Sequence, residues 1–178
     1  MLQRKLTRPL TVGHLTLGGG APIHIQSMSN IPSEDFEGTY RQVAALEEAG
    51  CDIIRLAVPT LDGANVFSYL KSRGIKAPLV ADIHFDHRIA LASLASGADK
   101  IRINPGNIGS RERVAEVARA AKAQGVPIRI GVNAGSLEGS ILQKYGRPCA
   151  EALVESALYH TSLLEECDFF DKIGRAHV

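Results

Sequence analysis

The sequence predicts an α/β protein of the (β/α)8 TIM-barrel type, truncated after about five βα units and carrying an N-terminal β-hairpin. Three observations point there. Short apolar runs recur at intervals of roughly 25 residues, a spacing typical of α/β barrels. Amphipathic stretches that close on glycine separate these runs, as expected for helices between strands buried on both faces. Polar groups then stand at the end of one run after another: Arg55, Asp82 with His84, Arg102 with Asn104, Arg129 with Asn133. In an open doubly wound sheet a single Gly-rich turn would dominate instead.

The stretch from Pro78 to Asn107 displays the unit most plainly. Leu79 to Ile83 and Lys100 to Asn104 are strands, joined by a helix from about His87 that ends in Gly97. Upstream, Thr11 to Leu17 alternates enough to be a strand. Gly18-Gly19-Gly20 permit a tight reversal into Ile23 to Met28, the first barrel strand. The glycines could instead cradle a phosphate, but no GKS ending and no helix directly follow them. Ser33 as N-cap, with Glu34 and Asp35 in the first turn, starts a helix from Glu34 to Ala49, and Gly50 ends it. Ile53 to Val58 is a strand stopped by Pro59, and Thr60 to Arg73 a helix closed by Gly74. Ser110 caps a helix from Arg111 to Gln124, which Gly125 ends before the strand Ile128 to Val132. No pattern emerges through Gly139 and Tyr145-Gly146-Arg147-Pro148. A helix from about Ala150 to Glu166 follows, and Phe169-Phe170-Asp171 opens a sixth strand.

Composition narrows the function classes. A formal net charge of +1 supplies no field for nucleic acid or an anionic membrane surface, so any basic site has to be local. No apolar run approaches the ~20 residues of a membrane span. The basic start MLQRKLTRPL lacks the apolar core of a signal peptide. Cys51, Cys149 and Cys167 form no CxxC pair and read as reduced thiols of a cytoplasmic protein. The arginines and asparagines at the strand ends converge on one mouth, which suits an anionic ligand.

Five units and a stub do not close a barrel of eight, and a sheet stopped there exposes its edge and apolar helix faces. The last six residues, Ile-Gly-Arg-Ala-His-Val, match one reading frame of a common sequencing-adapter oligonucleotide. We therefore read residues 1–172 as an incomplete barrel domain and residues 173–178 as a non-native tail. The remaining strands, and any further domain, would lie outside this chain.

Five motifs stand in one order: IQSM at Ile25 to Met28, RLAVPT at Arg55 to Thr60, VADIHFD at Val80 to Asp86, RINPGNIG at Arg102 to Gly109, and IRIGVNAGSL at Ile128 to Leu137. Together they resemble the 4-hydroxy-3-methylbut-2-enyl diphosphate synthase family. The resemblance covers about Thr11 to Lys172. One departure is the turn SNIPSED after QSM, where the family commonly has threonines.

The resemblance implies a homodimeric iron–sulfur enzyme of isoprenoid biosynthesis, whose barrel binds 2-C-methyl-D-erythritol 2,4-cyclodiphosphate. It further implies a [4Fe–4S] cluster on a C-terminal domain, fed by ferredoxin or flavodoxin, that opens the ring and removes a hydroxyl. The ligand motifs of that cluster are absent here, and Cys51, Cys149 and Cys167 do not occupy them. Carried over by position, Arg55, Arg102, Asn104, Arg129, Asn133 and Met28 are substrate-binding candidates. Three guanidinium forks suit diphosphate oxygens, and a carboxylate such as Asp82 would screen their mutual repulsion. Asp82 and His84 share one face of their strand and are the candidates to hydrogen-bond substrate hydroxyls or handle a proton. A purely structural Asp–His pair is the alternative. His14, His24, His87 and His160 are read as non-functional. Two other readings stay open: a pterin-binding barrel of the dihydropteroate synthase type, against which the arginines argue, and a non-catalytic half-barrel acting as an assembly module.

Overall fold

The structure, a computed structural model, describes residues 7–177. Six parallel strands form one sheet in strict chain order: β3 (Gln26–Met28), β4 (Ile53–Ala57), β5 (Leu79–Ile83), β6 (Lys100–Ile103), β7 (Ile128–Asn133) and β8 (Lys172–His177). A parallel pair needs a crossover connection. Helices supply it: α1 (Phe36–Glu48), α2 (Val66–Ser72), α3 (His87–Ala95), α4 (Pro105–Ile108) with α5 (Arg111–Gln124), and α6 (Gly139–Tyr145) with α7 (Ala150–Glu165). The strands expected near Ile53, Leu79, Lys100 and Ile128 fall within a residue of their expected bounds. The first, expected from Ile23, pairs only over Gln26–Met28.

Strand parity divides the sheet into two unlike faces. Ile54, Leu56, Leu79, Ala81, Ile83, Ile101, Ile103, Ile128, Ile130 and Val132 point outward and pack with the helices into the core. The inward face carries Gln26, Met28, Arg55, Asp82, Lys100, Arg102 and Arg129. The Lys100 Nζ approaches Gln26 Oε1 at 3.4 Å across two intervening strands. On a flat sheet those strands would stand about 14 Å apart, so the sheet curls as part of a barrel. It is a partial barrel of the TIM type.

The N-terminal hairpin is present, but its turn is not where the glycines suggested. β1 (Leu10–Val12) pairs antiparallel with β2 (Leu15–Leu17), and Gly13 turns the chain at φ +57°. Gly18, Gly19 and Gly20 also take positive φ, yet they serve a loop rather than join paired strands. An added Cβ on Gly13 would meet Pro78 at 2.9 Å, so the hairpin sits beneath the start of β5, opposite the strand ends.

Three further expectations need correction. Asp35, not Ser33, caps α1: its carboxylate accepts from the Gly38 N–H at 2.9 Å, while Ser33 is buried. The helix expected from Thr60 opens as a 3-10 turn, Asp62–Asn65, before α2. The patternless region after Gly135 contains α6, too short for its periodicity to register. From Lys172 the chain pairs in register with β7 as β8, Ile128 with Lys172 through Asn133 with His177, so the sixth strand opens directly after Phe169-Phe170-Asp171. Residues 1–6 and Val178 lie outside the described residues.

Candidate anion-binding site on the inward face

Asp82 organises the inward face. It sits on β5 opposite Arg102 on β6, which is in turn opposite Arg129 on β7, so the three form one row across adjacent strands. Its carboxylate is 1% exposed, and each oxygen is engaged. Oδ1 accepts from Arg102 Nη1 at 3.0 Å. Oδ2 accepts from Arg55 Nη2 and lies 3.2 Å from His84 Nε2. Burial pushes the Asp82 carboxyl pKa up, but the Arg55 hydrogen bond and charge, then Arg102 and His84, outweigh it and hold it below the usual value. Asp82 is therefore ionised near neutral pH. Its geometry is that of a clamp orienting two guanidiniums and an imidazole.

Below that row lies a fourth cation that strand-end reasoning overlooked. Lys100, two residues before Arg102 on the same face, is 4% exposed and has Gln26 Oε1 as its side-chain neighbour. No carboxylate lies within ion-pairing distance of it among the described residues. Burial, then the charges of Arg129 and Arg55, depress its pKa to about 8. Barrel interiors are ordinarily filled by branched apolar side chains. Here, among the described residues, Arg55, Arg102 and Lys100 gather around the one carboxylate of Asp82, an excess of positive charge that an anion would relieve. The Nε groups of Arg55 and Arg102 are buried without a hydrogen-bond partner among the described residues, so donors remain for such a ligand.

The other candidates fall around this centre with unequal support. Asn104 is buried just beyond Arg102, and its side chain makes no cap bond to α4. Asn133 ends β7 at the mouth, but its Oδ1 already accepts from the Gly135 N–H at 3.1 Å and caps the turn Ala134–Ser136. Only its amide NH2 is left to donate outward. Met28, paired in register with Arg55, is 42% exposed and offers apolar surface rather than a polar contact. His84 is half-exposed and borders a cavity of about 260 Å³ lined by Ala57, Val58, Pro59, Asp82, Phe85 and Ile89 among others.

Among the remaining histidines, His160 is buried on α7 and bonded to Glu138, whose Oε1 also accepts from Ser156 Oγ at 3.1 Å. That pairing lies away from the inward face. The cysteines are dispersed: the Cys51 thiol donates to Ile53 O at 3.1 Å, Cys149 precedes α7 and Cys167 follows it. Among the described residues, no group of three or more His, Cys, Asp or Glu is placed to hold a metal. These side chains do not fit an iron–sulfur cluster. No helix among the described residues is long and apolar enough to cross a membrane.

A curled parallel sheet with helices outside and cationic side chains around Asp82 inside defines a partial barrel domain of the TIM type. Within that class, the chain belongs to the GcpE TIM-barrel domain family, whose model matches residues 7–174. The 4-hydroxy-3-methylbut-2-en-1-yl diphosphate synthase (flavodoxin) of Symbiobacterium thermophilum is 57% identical over 171 residues, 96% of this chain and 46% of that protein. Its namesakes from Shouchella clausii and Listeria monocytogenes are each 56% identical, over 97% and 96% of this chain and 47% and 46% of theirs. The chain thus spans about half the length of the curated relatives it matches. Among solved structures, a dihydropteroate synthase from Xanthomonas albilineans in complex with 7,8-dihydropteroate gives a TM-score of 0.49 at 17% identity, covering 96% of this chain and 92% of its own. A likeness at that level carries no argument, and family membership does not favour the pterin-binding reading.

Proposed function

We propose that this chain is the substrate-binding barrel of a 4-hydroxy-3-methylbut-2-enyl diphosphate synthase and holds 2-C-methyl-D-erythritol 2,4-cyclodiphosphate through its diphosphate. The observation that carries the reading is the inward cluster of Arg55, Arg102 and Lys100 around Asp82, the one carboxylate paired with them among the described residues. In this reading the guanidinium forks and the Asn104 and Asn133 amides bind phosphoryl oxygens. Asp82 fixes Arg55 and Arg102 in place and aligns the His84 ring. His84, half-open to the mouth, hydrogen-bonds a substrate hydroxyl or carries a proton. Met28 covers the hydrocarbon part.

In the whole enzyme the reaction is reductive ring opening with loss of a hydroxyl. A [4Fe–4S] cluster would supply two electrons there, drawn from a flavodoxin or ferredoxin. Since the cysteines of this chain do not fit that group, no step is assigned to them, and the chain alone is inactive. Homodimerisation and a cytoplasmic setting belong to the same proposal.

Titration with the cyclodiphosphate tests it. Binding weakens as salt rises. In Arg102→Lys the charge stays but the fork is lost. With charge-assisted bonds worth about 1.5–3 kcal/mol, affinity falls roughly tenfold or more. Equal affinities in wild type and variant, or preferential binding of a pterin, would overturn the assignment.

A further inference from the structure

We propose that Gly131 is a positioning residue of the anion site: the space left by its missing side chain is the slot in which the Arg102 guanidinium lies. The inference rests on the reading of this face as a diphosphate site, but the slot itself is a matter of packing. Gly131 lies on β7 between Arg129 and Asn133 and shares their inward face. A Cβ built on it would stand 2.4 Å from Arg102 Nε, 2.6 Å from Nη2 and 2.8 Å from Cζ. Real Cβ atoms do not approach so closely, so the guanidinium and any side chain at residue 131 exclude each other.

Backbone conformation gives no other reason for glycine here. The φ of Gly131 lies outside the left-handed region, unlike Gly13 or Gly125. A glycine in a strand interior is destabilising relative to alanine, so local propensity favours replacement. What the absent Cβ provides is a bed for Arg102, whose Nη1 then reaches Asp82 Oδ1 at 3.0 Å. The obstructing atoms belong to the far end of a flexible side chain. Gly131→Ala therefore leaves the fold and swings Arg102 off Asp82, keeping the charge in the barrel but losing its aim.

The test uses inorganic pyrophosphate as probe and compares wild type, Gly131→Ala, Arg102→Ala and the double variant of this chain. Gly131→Ala is expected to lose roughly tenfold or more in affinity, approaching Arg102→Ala, and to add nothing in the Arg102→Ala background. Unchanged affinity in Gly131→Ala, or independent losses in the double variant, would overturn the proposal. A second readout needs no ligand. Once Arg102 leaves Asp82, the carboxyl loses one of the groups holding its pKa down, so acid unfolding begins at higher pH. That shift appears in Gly131→Ala and disappears as an added effect in the double variant; its absence overturns the slot. Should wild type fail to bind pyrophosphate, the diphosphate reading falls while the acid arm still decides the slot. Should Gly131→Ala alone fail to fold, the double variant folds because nothing fills the slot, and an equally unfolded double overturns the proposal.

Discussion

Lys100→Met puts the charge balance of the barrel interior to a quantitative test. Lys100 holds an ammonium in a buried site beside Arg55 and Arg129, with a neutral amide, Gln26, as its side-chain neighbour. Its folded pKa of about 8 lies below the ordinary 10.5. Below pH 8 both folded and unfolded chains carry the proton, and the folded state bears the full penalty of the buried charge. Between about 8 and 10.5 the unfolded chain binds more protons, so stability rises with pH. Above that window both forms are neutral and the penalty is gone. At ~1.36 kcal/mol per pH unit, the window corresponds to about 3 kcal/mol. Lys100→Met keeps the apolar stem and removes the charge, so it stabilises the chain at pH 7 by about 1–3 kcal/mol, raising Tm by a few degrees. It also removes the stability gain between pH 8 and 10.5. Urea unfolding followed by far-UV circular dichroism at pH 7 and at pH 10 measures both effects. A variant less stable than wild type at pH 7, or one that keeps the alkaline gain, would show that Lys100 is compensated in the fold.

Two further substitutions test neighbouring parts of the argument. Asp82→Asn leaves Arg55 and Arg102 facing each other without their carboxylate and destabilises the chain by about 3 kcal/mol, the low end for a broken buried pair because Arg55 keeps 20% side-chain exposure. The contribution of Asp82 is fully present above about pH 4 and lost as pH falls through its depressed folded pKa, so the variant also lacks that acid-sensitive step in unfolding curves. Asp35→Ala removes the side-chain acceptor for the Gly38 N–H and costs about 1 kcal/mol in urea unfolding, whereas Ser33→Ala leaves the start of α1 capped.

Why the fold was legible and parts of the site were not follows from what each signal measures. The strands at Ile53, Leu79, Lys100 and Ile128 are buried on their helix-facing side and bounded by turn residues, so their apolar runs stand out. Helix ends at Gly50, Gly74 and Gly125 were readable because each takes a positive φ that favours glycine. The glycine triplet misled because positive φ marks a loop as readily as a hairpin turn, and which glycine joins paired strands depends on register. Ser33 misled for a similar reason. Serine and aspartate are both good caps, and only the tertiary burial of Ser33 leaves the task to Asp35.

The unseen site residues differ in kind from the misread ones. Arg55, Arg102 and Arg129 were named as candidates for lying inside or at the ends of successive strands, although Arg129 is the second residue of β7 and Arg55 the middle one of β4. Lys100 opens its strand, at the end assigned to packing. Parity would have caught it, since Lys100, Arg102 and Asn104 alternate on one face and the neighbouring Ile101 and Ile103 face the helices. A lysine at an inward barrel position is costly unless the interior is built for an anion, so its presence at a strand start is stronger evidence for that interior than another arginine at the mouth. Gly131 is harder still, because its contribution is an absence. Nothing in a strand sequence separates a glycine kept for its backbone from one kept for the space beside it. The distinction requires the path of Arg102, a residue 29 positions away in sequence and one strand away in space.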